Sequence, residues 1–253
     1  MDSTSSAPRQ LAGLGSSPRI TSSGAKSIRK EGDAFRIRRE AEAMEFVRKN
    51  TSLPVPAVYE IQVGPETGLS SLTMEEMPER QLGQAWPNMS DAARSHTISM
   101  LKQHLAQLHD LRPPSPGWVG SCFGGPAYDH RLTNLTTCGP FNSVGAFHDF
   151  LVAPVRDCPE PDLADSYRVR LSDHHNIVFT HADISEENIL VNETTGNVTG
   201  ILDWEMAGYW PSWWEYRKAL YSARNKEWWR TIVGQIMVEY TNEAELDMDI
   251  EMF

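Results

Sequence analysis

The stretch from Ile177 to Asp203 constrains the fold more than any other part of the chain. Ile177-Val178-Phe179, Asn188-Ile189-Leu190-Val191 and Gly200-Ile201-Leu202 are short apolar runs of the kind that form strands. The first two enclose the polar segment His181-Ala182-Asp183-Ile184-Ser185-Glu186-Glu187, and the third runs directly into Asp203. Polar residues delivered at the ends of buried strands sit on a rigid base, which is where chemistry concentrates. Asp183 and Asn188 lie on one short loop that turns both side chains toward a common point. A carboxylate to orient and accept the proton of an attacking hydroxyl, with oxygen ligands for a hard cation, is what phosphoryl transfer asks of a protein. Asp183 suits the first task, and Asn188 and Asp203 suit the second, because Mg²⁺ prefers oxygen donors and takes few carboxylates.

Composition removes several competing classes. The formal net charge of −11 argues against non-specific binding to nucleic acid or anionic membrane. No run approaches the roughly 18 apolar residues of a membrane-spanning helix, and no secretory signal is evident. The three cysteines, Cys122, Cys138 and Cys158, form no close pair and read as reduced thiols. A cytoplasmic setting is therefore expected, and the chain is expected to act as a monomer. The first thirty residues are rich in Ser and Gly and carry Arg9, Arg19, Lys26, Arg29 and Lys30 against Asp2 alone, which predicts a mobile tail or a partial strand over residues 1–25.

Strong helix formers from Phe35 to Asn50 predict a helix ended by Thr51-Ser52-Leu53-Pro54. Val58–Val63 and Leu72–Met77 read as strands, so a small α+β lobe of two strands and one helix is expected over roughly the first 80 residues. Ser90 is placed to cap a helix with its buried stripe at Ile98, Leu101, Leu105 and Leu108. Arg112–Pro140, rich in Pro and Gly, reads as an irregular surface loop, and Phe141–Val152 as another amphipathic helix. The remainder predicts helices packed through Trp213, Trp214, Trp228 and Trp229.

The segment Phe179–Val191, followed by Gly200-Ile-Leu-Asp-Trp-Glu-Met-Ala-Gly208, resembles the signature of the aminoglycoside phosphotransferase and choline kinase-like family. Pro211-Ser-Trp-Trp-Glu-Tyr-Arg-Lys218 is similar to the version common in filamentous fungi, and Glu40–Val47, Thr51–Pro56 and Met74–Met77 resemble its small lobe and hinge. The resemblance implies a two-lobed, α+β, protein-kinase-like fold. Its small N-terminal nucleotide-binding lobe would span residues 26–80, and its mainly helical C-terminal catalytic lobe residues 81–253. It implies ATP and Mg²⁺ as cofactors and a small-molecule hydroxyl as acceptor. Carried over, Asp183 is the catalytic base and His181 a catalytic-loop residue that acts by hydrogen bonding. Asn188 and Asp203 are the magnesium ligands, Lys30 reaches the phosphates with Glu40 as partner, and the backbone around Glu75 to Met77 receives adenine. Lys26 and Glu42 stand as competitors to Lys30 and Glu40.

The sequence departs from this pattern in two places. Ala182 stands where the family usually has Gly, a modest change where φ is negative. The region before Lys30 offers only Leu11–Ser17 and Ile20–Lys26, with few β-branched residues to build strands. That leaves open an abbreviated small lobe and, as the rival function, a pseudokinase or ligand-binding module. The late carboxylates Glu239, Glu243, Glu245, Asp247, Asp249 and Glu251 fit a solvated tail, and under the resemblance a wall facing a cationic acceptor.

Overall fold

The computed structural model describes residues 19–24, 26–64, 69–133, 137–160 and 162–253. Residues 1–18 of the expected tail, including Leu11–Ser17, lie outside them. The first layer is a four-stranded antiparallel sheet built from β1 (Arg19–Gly24), β2 (Ser27–Asp33), β3 (Val58–Val63) and β4 (Leu69–Glu75), in the order β1-β2-β4-β3. Two strands were expected here and four are present. The β1–β2 hairpin pairs Ile20 with Lys30 and Thr21 with Arg29, and β2 pairs along its whole length with β4. Ladder hydrogen bonds to a buried central strand hold a Ser- and Arg-rich hairpin whose intrinsic β-propensity is poor. The small lobe is therefore not abbreviated at this hairpin.

Helix α1 (Ala34–Asn50) follows β2 without a loop, because Asp33 ends the strand and caps the helix. Its carboxylate accepts the backbone N–H groups of Phe35 and Arg36. Ile37, Ala41, Met44 and Val47 form the buried stripe against the sheet, and Glu40 lies on the same face.

The rest of the chain is mainly helical. After the short β5 (Arg80–Gln81) and α2 (Leu82–Ala85), the long α3 (Asp91–His109) starts at Ser90, whose hydroxyl accepts from the N–H of Ala93. Leu101, Leu105 and Leu108 are buried as its spacing predicts, with Ile98 packed at the core's edge. Arg112–Pro140 departs from the expected surface loop. It contains β6 (Ala127–Tyr128), α4 (His130–Thr133) and β7 (Thr137–Cys138), and it buries Val119, Tyr128 and Asp129 completely. A Pro- and Gly-rich composition describes backbone freedom, and here that freedom lets the chain thread between larger elements. Gly208, for example, admits the carbonyl of Gly120 so closely that a Cβ would meet it at 2.7 Å.

Helices α5 (Val144–Val152) and α6 (Leu163–Arg170) lead to β8 (Ile177–Thr180), β9 (Ile189–Val191), β10 (Val198–Ile201) and β11 (Gly208–Pro211). β9 lies between β10 and β5, and β8 pairs with β11. Helices α7 (Trp214–Ser222), α8 (Glu227–Ile236) and α9 (Thr241–Ile250) close the fold. Trp210 and Trp214 stack at 5.2 Å, with Phe147 edge-on to both, so the tryptophans are core. Among the described residues no helix is long and apolar enough to cross a membrane.

The sheet–helix layer makes a contrast measurable. Leu72→Ala, at a fully buried position on central β4, should lower unfolding free energy by about 2–5 kcal/mol in denaturant titrations. Val63→Ala, on edge strand β3 and largely exposed, should cost less than about 1 kcal/mol. Equal costs would contradict the packing described.

Candidate active site

Two turns at strand ends converge with the middle of β2 beneath the small sheet. His181 to Asn188 connect β8 to β9, Asp203 follows β10, and Lys30 projects from β2. Lys30 Nζ lies 2.7 Å from Glu40 Oε2, 2.9 Å from Asp203 Oδ1 and 4.0 Å from Glu205 Oε2. Lys30 is only 4% exposed, whereas Lys26 is exposed at the hairpin turn with φ +65°. Glu40 is buried on the inner face of α1 and Glu42 does not join the cluster, so the geometry selects the Lys30–Glu40 pair. Burial alone would lower the lysine's pKa, but Glu40, Asp203 and Glu205 outweigh it and hold the ammonium charged. Burial drives Glu40 the other way, above its ordinary value, against the pull of Lys30.

Sequence reasoning missed the residues that fix this arrangement. Arg36 forms a two-pronged contact with Glu205, at 3.0 and 2.7 Å, and His130 Nε2 lies 3.0 Å from the same carboxylate. Despite burial, these partners draw Glu205 down to about 2. Arg39, also buried, donates to the carbonyls of Glu205, Ala207 and Pro126. Two arginines on one face of α1 therefore tie that helix to the turn after Asp203. Their i, i+3 spacing was visible in the sequence, but their partners lie 87 to 169 residues away.

The loop before β9 is equally constrained. His181 is fully buried and held neutral, its pKa lowered to about 4 by desolvation. In that tautomer Nε2–H donates to the carbonyl of Leu202 at 2.9 Å, and Nδ1 accepts the N–H of Asp183 at 3.2 Å. His181 thus fastens the Asp183 loop to the chain entering Asp203. Asn188 Nδ2 donates to Asp183 Oδ2 and to its carbonyl, each at 2.9 Å, and the N–H of Leu202 reaches the carbonyl of Asn188 at 2.8 Å. Burial lifts Asp183 to about 7 against the opposing field of Lys218.

Ala182 has φ +61° and Asp203 φ +66°. The methyl of Ala182 therefore sits in the left-handed region rather than at negative φ, a strain of about 1–2 kcal/mol in a loop the surroundings over-determine. What over-determines it is Glu215 at the start of α7. The buried Glu215 carboxylate accepts the backbone N–H groups of His181 at 2.7 Å and Ala182 at 3.0 Å. No sequence signal marked Glu215 beyond its place in the Trp-Trp-Glu-Tyr run.

The donor set suits a hard divalent cation. Asp203 keeps a side chain 37% exposed, and Asn188, having turned its amide nitrogen to Asp183, has its Oδ1 free of any protein donor among the described residues. Glu75 and Met77 lie on the strand-to-hinge segment. The side chain of Glu75 accepts the N–H of Ala57, the N–H of Glu76 is taken by the carbonyl of Lys26, and Met77 is half-buried beyond them. They are thus set apart from the Lys30–Asp203 cluster. On the far side of Asp183 opens a cavity of about 290 Å³, lined by His130, Arg131, Met206, Arg217, Lys218 and Glu251 among others.

The phosphotransferase enzyme family (APH) matches residues 25–248, and the chain belongs to that family. No curated protein matches it in sequence. Solved structures share its fold at low identity. An aminoglycoside-3'-phosphotransferase of type VIII is 16% identical with a TM-score of 0.58, covering 98% of this chain and 93% of that one. The GDP and kanamycin complex of APH(2")-IIia is 13% identical with a TM-score of 0.59, over 92% and 82%. APH(3'')-Id from Streptomyces rimosus, in complex with ADP and streptomycin, is 15% identical with a TM-score of 0.54, over 90% and 87%. The two-lobed kinase-like fold expected from the sequence is the fold observed.

Glu215→Ala would leave two buried N–H groups without acceptors and should cost on the order of 2–4 kcal/mol in urea melts. Burial pushes the Glu215 carboxyl from 4.5 up to about 7, against the pull of its backbone donors. The folded state then holds a proton that the unfolded chain releases, so stability present below about pH 4.5 is lost as pH rises toward 7. Glu215→Gln should flatten that slope, and an unchanged slope would refute the assignment.

Proposed function

We propose that this member of the phosphotransferase enzyme family transfers the γ-phosphoryl group of ATP to a hydroxyl of a small molecule, with magnesium. The observation that carries this reading is the 2.9 Å contact of Lys30 with Asp203, which lies 173 residues further along the chain, while Glu40 holds the same ammonium. A buried lysine gripped beside a cleft-facing carboxylate is a receptor for nucleotide phosphates and their metal. Supporting it, APH(3'')-Id was solved with ADP and streptomycin, and a thermostable APH(4)-Ia mutant with ADP and hygromycin B. The rival reading of a pseudokinase rests on a thin region before Lys30, and the pairing of β1 with β2 favours the kinase reading over it.

In this mechanism Lys30 shifts from Asp203 toward the incoming phosphates while Glu40 keeps it oriented. Asp203 and the Oδ1 of Asn188 would hold the metal, which when bound would supply positive charge against the transferred group. The acceptor oxygen attacks the γ-phosphorus, the bond to the bridging oxygen of ADP breaks, and the hydroxyl proton passes to Asp183. His181 and Glu215 keep that carboxylate aimed by bonding the backbone on either side of it. The division into a nucleotide lobe at 26–80 and a catalytic lobe at 81–253 belongs to the same reading, with the backbone of Glu75 to Met77 facing adenine. The protein acts alone, as a monomer, in the cytoplasm.

Mg²⁺–ATP at a hundredfold excess over its Kd should stabilise the protein by about 2.7 kcal/mol, roughly 5–10 °C in Tm. Asp203→Ala should abolish the shift. Asp183→Ala should retain it while lowering phosphoryl transfer by about 10²–10⁴-fold. Turnover that survives Asp183→Ala would refute the base assignment, and no shift at millimolar nucleotide would refute the kinase reading.

A further inference from the structure

The cavity beside Asp183 is walled by cations whose counter-ions lie behind them. Asp129 and Asp247 are 0% exposed, and both oxygens of each are engaged. Asp129 takes Lys218 Nζ and the N–H of Arg131 on one oxygen and Trp214 Nε1 on the other. Asp247 takes Arg131 Nη2 on one and Arg217 Nε on the other. Neither carboxylate has an oxygen left over for the cavity. The cations in front of them keep unused donors. Lys218 makes one carboxylate bond and a long 3.7 Å contact to Met206 Sδ, and Arg131 Nε is buried without a hydrogen-bond acceptor.

A second carboxylate bridges the arginines from the cavity side. Glu251, in the exposed turn after α9, accepts from Arg217 Nη2 and lies 3.6 Å from Arg131 Nε. Of the late acidic residues only Glu251 lines this cavity, while Glu239, Glu245 and Asp249 are exposed and do not line it. Asp247 is spent on arginines, Glu243 lies 3.0 Å from His175 Nε2, and Glu251 marks where an anion sits. The cavity is also small. At about 290 Å³ it falls just below the roughly 300–1,000 Å³ range of ligand pockets, suited to a compact metabolite rather than an oligosaccharide.

We propose that the phosphate acceptor is a small hydroxy acid, whose anionic group displaces Glu251 and seats against Arg131, Arg217 and Lys218 while its hydroxyl faces Asp183. This rests on the phosphotransferase reading above. Guanidinium pairs recognise carboxylates through parallel N–H donors, and Arg131 Nε and Lys218 supply donors that the protein itself leaves unused.

The test follows ADP release at saturating Mg²⁺–ATP with hydroxyl compounds sorted by charge. Glycerate, threonate and gluconate form one group, and ethanolamine, choline and kanamycin the other. Turnover of hydroxy acids and not of cations is expected. Lys218→Met should raise the KM for the hydroxy acid by about tenfold or more while the KM for ATP holds. Because that variant strands Asp129 without its ammonium, Glu251→Gln at an exposed position provides an independent arm. Removing the competing carboxylate should lower the KM for hydroxy acids several-fold. Turnover of cationic acceptors alone, no turnover of any hydroxy acid by protein that binds Mg²⁺–ATP, or weaker acceptor binding in Glu251→Gln would overturn the proposal. Protein that fails to bind Mg²⁺–ATP would instead refute the kinase reading on which it depends.

Discussion

A buried ammonium with its charge intact is the constraint around which this fold is arranged. Moving an ion out of water costs several kcal/mol, and the cost is offset only where opposite charges and hydrogen bonds surround it with good geometry. Lys30 meets that condition through residues on two other pieces of chain: Glu40 on α1, and Asp203 with Glu205 in the turn after β10. β2 must therefore be paired on both sides to aim the lysine, α1 must start directly at Asp33 to bring Glu40 beneath it, and the turn after β10 must rise to meet both. Arg36 and Arg39 convert that convergence into a rigid junction, because each reaches from α1 to the Asp203–Ala207 turn. The two lobes are stitched together by charge as well as by apolar packing.

The second support is built from backbone. Glu215, His181 and Asn188 side chains together bond the main chain of His181, Ala182, Asp183 and Leu202, and the N–H of Leu202 bonds the carbonyl of Asn188. Two non-glycine residues in the left-handed region, Ala182 and Asp203, persist inside this web. Strain of that kind survives where neighbours over-determine the conformation, and it concentrates where function needs a side chain held in one direction. Asp183 and Asp203 are the side chains so held.

How much of this was legible depended on distance along the chain. Asp183, Asn188 and Asp203 could be read because strands and turns impose local spacing, and His181 because it adjoins them. Lys30 and Glu40 were recognisable from the resemblance, yet only the fold separates them from Lys26 and Glu42. Glu215, Arg39, Glu205 and Lys218 could not be found from spacing, since each acquires meaning from a partner 33 to 169 residues away. The β1–β2 hairpin was underestimated because its residues have little β-propensity of their own, and its stability comes from pairing with β4. Arg112–Pro140 was misread for a related reason. Gly and Pro report what the backbone permits, whereas the burial of Val119, Tyr128 and Asp129 is decided by the elements that close over them.

The central claim is that Asp203 and Asn188 form one metal-binding face that is completed by nucleotide. Electron paramagnetic resonance of Mn²⁺, titrated into the protein with and without ATP, addresses it directly. Tight Mn²⁺ binding that requires ATP, is lost in Asp203→Ala and Asn188→Ala, and persists in Asp183→Ala is the predicted result. ATP-dependent Mn²⁺ binding that survives removal of Asp203 would contradict the account.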